Sequence, residues 1–371
     1  MAGDIGVAET VVLAPTVAPA FAALAPAQAG PVLHEYGPTL RIGIGAASAT
    51  AAAMAATPGL PAVLTPNEQL GLAALKLRES AAYRTGKNQR RFEGRPWGKG
   101  RTPLHRAERP VIKPPQDRAG RAALAAAAPF TARPRRFAGR IAVGIIMVSG
   151  PGARALKKNQ QVKIAAEVQN GLSWIAAQSP ARDVTFVHDN HHLTVTVPQA
   201  TGPTGDANAR YEHFERPWRD AALAQLGFGP GLAGVRAYIG ALQQRTSADA
   251  AYCAFFTLYR VNHFAYCADD YLVMHYNNDS WGIDNIDRVF AHESGHVVDA
   301  PDEYADSGCN CTSRFGFFRK ANRNCEDCAP GGGVACIMKE NDWAMCSVTP
   351  YHFGYNGLPA NPPQALAPHV V

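Results

Sequence analysis

The side chains best suited to chemistry lie in one short run, His292-Glu293-Ser294-Gly295-His296. Residues four apart on an α-helix share a face, so both imidazoles can approach one metal ion. Imidazole is a common ligand of Zn²⁺, and Glu293 lies where its carboxylate can reach a metal-bound water without binding the metal. The run therefore predicts a zinc site in which Glu293 is a general base.

A catalytic zinc site needs three protein ligands, so a third must come from beyond this run. Asp302 stands six residues after His296, just past a proline that ends the helix, and we expect it to complete the site. Glu303 is the alternative ligand. A different arrangement places a glutamate ligand on a later helix, but Glu326 and Glu340 lie outside any helical pattern.

A methionine follows at a suitable distance. Met338 lies about 36 residues after Asp302, in a turn-rich stretch that contains Gly331, Gly332 and Gly333. A buried methionine more often fills a core than lies beneath a metal. Met338 gains significance only because it follows a metal-binding pattern at this spacing.

These features resemble the metzincin clan of zinc metallopeptidases, whose pattern H-E-x-x-H-x-x-G-x-x-H/D is closed by a methionine turn beneath the metal. The aspartate form of the third ligand, as in snapalysin-like enzymes, is the nearer match. Bacterial secreted metzincin-like proteins are also similar, because their motif continues with the Pro-Asp-Glu-Tyr found at 301–304. The resemblance covers residues 140–355. The roles it implies are zinc ligands His292, His296 and Asp302, general base Glu293, and methionine turn Met338.

The resemblance implies a zinc-dependent endopeptidase acting on a protein or peptide substrate. Zinc would lower the pKa of a bound water from about 15.7 to about 7, and Glu293 would accept the proton of that water. We expect the substrate to lie extended along an edge strand, with residues 271–276 as the candidate. Two other classes stay open: a catalytically inert zinc-bound binding module, and a basic-arm protein that binds nucleic acid or the cell envelope on a peptidase scaffold.

One residue departs from the clan's pattern, because Asp299 stands where the clan has glycine. That glycine lets the chain leave the helix sharply, usually with positive φ. Aspartate is among the few other residues that tolerate the left-handed region. We expect a strained but feasible turn, and a degenerate zinc site is the alternative.

The elements that must position these residues follow from hydrophobic periodicity. The continuous apolar run Ile141–Val148 predicts a strand buried on both faces. Apolar positions at spacings of three and four predict an amphipathic helix over Lys157–Gln178. Further helices are expected at 218–226 and 235–245, and further strands at 254–259 and 271–276.

Residues 184–187 and 193–197 predict a hairpin whose loop holds three histidines, His188, His191 and His192. Those histidines could bind a metal, but a polar loop is the commoner explanation. We expect an α/β fold overall: a metzincin-like catalytic domain with a twisted, mostly parallel sheet, a zinc helix, and a cysteine-rich, loop-rich C-terminal subdomain.

Composition divides the chain into three parts. Residues 1–135 are Ala/Pro-rich and then basic, which predicts a largely disordered region or pro-segment. Residues 136–358 form the predicted zinc peptidase domain, and 359–371 form a tail. Within the first part, Thr65 and Glu68 predict a capping box that starts a short helix.

Charge is equally uneven. Residues 76–140 hold 18 Lys/Arg against four acidic residues, a local balance of +14, whereas the rest of the chain carries 18 basic and 26 acidic residues, or −8. This favours a basic N-terminal arm on a mildly acidic body. The arm is either a solvated linker or a contact to an anionic surface such as nucleic acid, lipid or cell envelope.

All eight cysteines lie after residue 252. An even, clustered set favours disulfides and an oxidising compartment, so we expect a secreted or cell-envelope protein. A structural zinc bound by four of them, in the two closely spaced pairs between 309 and 328, is the alternative. The candidates for disulfides are Cys253 with Cys267, and Cys309, Cys311, Cys325, Cys328, Cys336 and Cys346.

Two further expectations concern calcium and membranes. An oxygen-rich stretch precedes the zinc motif and could bind Ca²⁺, although turn and cap residues explain it more simply. Residues 7–29 are apolar, but they lack a preceding Lys or Arg and contain three prolines, so they predict no clear signal peptide. No apolar run reaches the roughly 20 residues of a membrane span. The calcium candidates are Asn277, Asn278, Asp279, Asp284 and Asp287.

Overall fold

The computed structural model describes residues 9–13, 31–44, 64–99, 132–202, 209–268 and 270–355. An eight-stranded sheet runs through it in the order β1-β3-β2-β5-β4-β6-β8-β7. The strands β2, β5, β4, β6 and β8 are parallel to one another, and β7 closes one end antiparallel to β8. The strands are β1 (Glu9–Leu13), β2 (Val32–Glu35), β3 (Leu40–Ile44), β4 (Gly139–Ser149), β5 (Val184–Thr194), β6 (Ala250–Thr257), β7 (Ala265–Ala268) and β8 (Tyr271–His275).

Helices cover both faces of this sheet. The helices are α1 (Pro66–Glu79), α2 (Ala81–Asn88), α3 (Lys158–Gln178), α4 (Ala209–Gln225), α5 (Gly231–Thr246), α6 (Ile286–Val297) and α7 (Thr349–His352). Successive side chains of a strand point to opposite faces, and on β4 Ile145 packs toward α3 and α6 while Ile146 packs toward α4 and α5. A small hairpin, β9 (Arg314–Phe315) with β10 (Lys320–Ala321), lies in the C-terminal part. The α/β fold and the mostly parallel sheet are confirmed.

The predicted hairpin around the three histidines is wrong. β5 is one continuous strand that stays parallel to β4 from the pair Gly139–Val184 to the pair Ser149–Thr194. The polar run is tolerated inside the sheet because its side chains find partners. His188 Nε2 lies 2.9 Å from His34 Nδ1, and His192 Nε2 lies 2.8 Å from Ser149 Oγ. These histidines are divided between separate partners and do not converge on one point.

Part of the region predicted to lack packed structure contributes to the fold. Strands β1, β2 and β3 extend the sheet beyond β5, and the predicted capping box at the start of α1 is present. Glu68 of that box also accepts the backbone N–H groups of Thr39 and Leu40, which joins α1 to β3. These strands are four or five residues long. Such short segments give too little periodicity to be recognised in an Ala/Pro-rich sequence.

The helix that carries the His-Glu pattern packs closely on the long helix α3. Gly171 of α3 is the contact point, because a Cβ there would lie 2.7 Å from the carbonyl oxygen of Asp287. On the other side, Phe290 stacks on Phe256 of β6 at a centroid distance of 6.2 Å. α6 is therefore held between α3 and the sheet, and its remaining face carries His292 and His296.

Candidate metal centre

Helix α6 brings the two predicted histidine ligands together. His292 and His296 are one turn apart on the same face, and their Nε2 atoms are 3.2 Å apart. Both side chains are largely buried, with 6% and 10% of their surface exposed. The i, i+4 spacing therefore places two imidazole nitrogens at one point, as the sequence predicts.

The turn after α6 has the hydrogen bonds of a Schellman motif. The N–H of Ala300 donates to the carbonyl of Gly295, and the N–H of Asp299 donates to the carbonyl of His296, each at 3.0 Å. This motif requires a left-handed residue at its penultimate position, usually glycine. Asp299 occupies it with φ 64°. The expectation that aspartate adopts this conformation is confirmed.

The Schellman turn places Asp302 beside the two histidines. Asp302 Oδ1 lies 3.2 Å from His292 Nε2 and 2.9 Å from His296 Nε2. Asn322 donates to the backbone carbonyl of Asp302 at 2.9 Å and fixes the chain there. The alternative ligand Glu303 faces away, because its Oε1 accepts the hydroxyl of Thr349 at 2.9 Å.

The hydrogen bonds of the imidazoles show that these atoms suit a cation. His292 Nδ1 lies 2.9 Å from the carbonyl of Ile337, and His296 Nδ1 lies 2.8 Å from the carbonyl of Ala300. A carbonyl can only accept, so each Nδ1 carries a proton, and each Nε2 faces the other ring and Asp302. Asp302 Oδ1 is buried beside the two Nε2 atoms and has no other hydrogen-bond partner among the described residues. Two imidazole nitrogens and one carboxylate oxygen within 3.2 Å of one another are a ligand set that fits Zn²⁺.

Titration of the same groups supports this interpretation. Burial lowers the pKa of His292, but the hydrogen bond and negative charge of Asp302 outweigh it and raise that pKa. Burial raises the pKa of Asp302, but the charge on His296 and the hydrogen bonds of both histidines hold it well below its usual range. The site therefore attracts positive charge. Protons and a metal ion compete for it, and metal binding releases protons.

Met338 lies beneath the helix at the metal-binding turn. It is fully buried, and a Cβ added at Gly295 would lie 2.8 Å from its Sδ. Its carbonyl also accepts the N–H of Glu303 at 2.9 Å, next to Asp302. Met338 therefore packs against both chain segments that supply the ligands, as a methionine turn would.

Glu293 follows His292 on α6 and is 7% exposed. Its charge acts on Tyr211 at the start of α4. Burial and the charge of Glu293 raise the pKa of Tyr211 to about 12, against the opposing effect of a hydrogen bond with Asn262. The phenol is therefore neutral near pH 7. The sequence analysis did not identify Tyr211, because nothing local to residue 211 marks it.

The strand expected to bind substrate is not an edge. Residues 271–275 form β8, which pairs with β6 on one side and β7 on the other, so its backbone hydrogen bonds are already made. The edge strand is β7, which the sequence analysis missed and against which α6 packs. Its four residues are too few to show an alternating pattern.

The cysteines divide into disulfides and thiols. Cys309–Cys325 and Cys311–Cys328 are disulfides, so the four thiolates of the alternative structural zinc site are not available. Cys253, Cys267, Cys336 and Cys346 take part in neither disulfide. The expected bridge between Cys253 and Cys267 is wrong for a geometric reason: Cys253 packs on the α4 and α5 face of the sheet and Cys267 on the α6 face.

Cys336 and Cys346 are buried beside Glu303, and the ligand atoms of all three lie within 4.8 Å of one another. Thr349 Oγ1 lies 3.2 Å from each sulfur. Neither cysteine takes part in a disulfide, so the bridges that the sequence analysis expected at these positions are not formed. This cluster lies on the far side of the Asp302–Glu303 segment from the histidines.

Other candidate ligands are engaged elsewhere. Glu326 accepts the backbone N–H of Ala305 at 2.9 Å, and Glu340 lies 4.0 Å from Lys339. The proposed calcium residues are likewise separated, since Asp284 pairs with Lys163 and Asp287 with Lys87. Of the remaining calcium candidates, the side chain of Asn278 donates to the carbonyl of Gly282. The described residues therefore give the calcium prediction no support.

The basic N-terminal segment is tied to α6 by buried charges. Lys87 contacts Glu167 at 2.5 Å and Asp287 at 2.9 Å, and its side chain is 2% exposed. Arg288 forms a two-pronged pair with Glu93, at 2.9 and 2.7 Å. These charges neutralise partners inside the fold, so they cannot serve as a free arm. Residues 100–131, the rest of the predicted arm, lie outside the described residues.

Two further observations concern membrane-spanning helices and known relatives. In the part of the chain that the structure describes, no helix combines the length and apolar character needed to cross a bilayer. Comparison of the chain with protein-family models, curated proteins and solved structures finds no match.

Proposed function

We propose that this protein is a zinc-dependent endopeptidase of the metzincin type. The observation that carries the proposal is the convergence of His292 Nε2, His296 Nε2 and the buried Oδ1 of Asp302 within 3.2 Å of one another. Glu293 adjoins the first ligand, and Met338 lies beneath the helix. A purely structural zinc site has no need of an adjacent carboxylate base, so this combination favours hydrolysis over storage of a metal.

His292, His296 and Asp302 would hold the zinc, which when bound would supply a Lewis acid to polarise a carbonyl group and to lower the pKa of a water. The carboxylate of Glu293 accepts the proton of that water and returns it to the leaving amine. The carbonyls of Ile337 and Ala300 hold the Nδ1 protons of His292 and His296, so both rings keep their Nε2 atoms directed at the site. Such outer contacts orient ligands and tune the metal.

The substrate is an extended polypeptide segment that adds to the free edge of β7. β7 (Ala265–Ala268) is the outermost strand at this end of the sheet, and α6, which carries His292, packs against it. Strand addition supplies affinity through main-chain hydrogen bonds, with alternate side chains left to determine specificity. The two disulfides are compatible with secretion, and we place the enzyme outside the cytosol or in the cell envelope.

Neither alternative class gains support. The inert binding module was motivated by Asp299, yet Asp299 forms the required turn. The basic-arm protein was motivated by the positive charge of residues 76–140, which at Lys87 and Arg90 is paired with Asp287 within the fold.

The test combines metal analysis with a protein digest. The purified chain should contain one zinc, lose zinc and casein hydrolysis together on chelation, and regain both with one equivalent of zinc. Asp302→Asn should bind zinc poorly and be inactive, whereas Asp327→Asn, the same change at an exposed position, should behave as wild type. Full activity in zinc-free protein would refute the proposal.

A further inference from the structure

The stretch that follows α2 runs alongside the segment that contains Met338. The backbone N–H of Trp97 donates to the carbonyl of Lys339 at 3.0 Å, and Gly94 donates to the carbonyl of Asn341, also at 3.0 Å. Asn341 donates back to the carbonyl of Arg95 at 2.9 Å. A short ladder therefore joins the N-terminal segment to the stretch beneath the metal centre.

The side chain of Trp97 reaches the metal centre itself. It is 2% exposed, and its ring centroid lies 5.3 Å from that of His292. Its Nε1–H donates to the carbonyl of Ile337 at 2.7 Å, the same oxygen that accepts Nδ1–H of His292 at 2.9 Å. A carbonyl oxygen has two lone pairs, so one acceptor serves both donors.

We propose that Trp97 is a positioning residue for the metal ligand His292, acting through the shared carbonyl of Ile337. Ile337 lies in a turn-rich stretch, so no helix or sheet fixes the direction of its carbonyl. The indole N–H supplies that constraint, and the neighbouring ring of Trp281, at 4.9 Å, holds the indole in place. With the carbonyl fixed, the imidazole of His292 keeps its tautomer and orientation.

The contacts of Trp97 belong to a larger set made by residues 64–99. Lys87, Glu93 and Trp97 contact α6 or the Met338 stretch, so this segment packs against the candidate metal centre. The backbone ladder and buried ion pairs do not depend on the indole. Trp97→Phe should therefore fold, with the ring retained and only the N–H and part of the ring volume lost.

The experiment compares Trp97→Phe with Trp218→Phe in the full chain. Trp218 is 1% exposed on the opposite face of the sheet, and its Nε1 has no hydrogen-bond partner among the described residues. The readouts are the zinc dissociation constant by chelator competition, the visible absorption of the Co²⁺-substituted protein, and the melting temperature without metal. Loss of an outer contact of a metal ligand typically weakens metal binding by about 10–100-fold.

We expect Trp97→Phe to bind zinc at least about tenfold more weakly and to change the Co²⁺ spectrum. Trp218→Phe should match wild type in both, although both variants lose some metal-free stability. Equal zinc affinity and identical Co²⁺ spectra in the two variants would overturn the positioning role while leaving the proposed function intact. The inference rests on the proposed zinc site, so wild-type protein that binds no zinc would refute both.

Discussion

Replacing Asp299 tests how the turn after α6 builds the metal site. Asp299 contributes its left-handed backbone, which places the carbonyl of Ala300 on His296 Nδ1. It also contributes its carboxylate, whose Oδ1 lies 2.5 Å from an Nη atom of Arg133. Three substitutions separate these contributions. Asp299→Asn keeps the tolerance for positive φ and removes the charge, Asp299→Gly removes charge and strain, and Asp299→Val removes the charge and worsens the strain.

The magnitudes follow from exposure and backbone geometry. The side chain of Asp299 is 58% exposed, so losing its ion pair should cost only about 0.2–1 kcal/mol. Asp299→Gly relieves roughly 1 kcal/mol of left-handed strain, but it loses the ion pair and about 0.4–1 kcal/mol through the freer unfolded chain. The free energy of unfolding should therefore barely change. Asp299→Val should lose about 2 kcal/mol or more, because a β-branched residue is disfavoured at this φ.

Calorimetry with and without zinc, at 0.1 and 1 M NaCl, measures these differences. A loss of 2 kcal/mol lowers the melting temperature by about 4–8 °C in a domain of this size. The small deficit of Asp299→Asn should vanish at high salt, where the Debye length falls to about 3 Å. Zinc affinity should be near wild type for Asp299→Asn and Asp299→Gly. It should be at least about tenfold weaker for Asp299→Val, because the Ala300 carbonyl that accepts Nδ1–H of His296 would move. If Asp299→Val binds zinc as tightly as Asp299→Asn does, or if Asp299→Gly is the least stable of the three variants, the left-handed turn does not position the zinc ligands.

Three further predictions concern stability and cysteine chemistry. Gly295→Ala should lower the free energy of unfolding by about 1–3 kcal/mol, because the added Cβ would meet Met338 and Phe353. Gly240→Ala is the control, because a Cβ there would lie in open space on α5, and it should be neutral or stabilising. Chemical denaturation measures both variants. Burial raises the pKa of Asp287, but Lys87, Arg90 and Arg288 outweigh it and lower that pKa, so its stabilisation is complete above about pH 4 and is lost as the pH falls further. Asp287→Asn should lower the free energy of unfolding by about 3 kcal/mol at pH 7. In urea titrations of metal-free protein, the decline of that free energy between pH 5 and 3 should be flatter for the variant than for wild type. An unchanged pH profile would contradict this. Thiol titration of denatured, unreduced protein should find four thiols, whereas two would mean that Cys336 and Cys346 are bridged.

The sequence predicts well what depends on neighbours along the chain. His292 and His296 follow from helical spacing, and Asp302 follows because one short turn connects it to them. The long apolar strand and the capping box at Thr65 are likewise local patterns. Each of these required only a few residues whose order dictates their geometry.

The errors concern contacts between distant parts of the chain. The run after His188 has the polarity of a loop, yet β5 continues because His34 and Ser149 provide partners from other elements. Trp97 has no local signature, since its role depends on meeting Ile337 across the fold. The Cys253–Cys267 pairing failed because sequence proximity does not reveal which face of a sheet a side chain occupies. Such information resides in tertiary packing alone.

The most direct measurement of the central claim is peptide-bond cleavage by wild type and Glu293→Gln protein at matched zinc content. The amide preserves the shape of the carboxylate and leaves His292, His296 and Asp302 untouched, but it cannot accept a proton. The account predicts equal zinc stoichiometry and a loss of cleavage rate of about 10²–10⁴-fold for a quenched fluorescent peptide. Undiminished cleavage by fully zinc-loaded Glu293→Gln protein would contradict it.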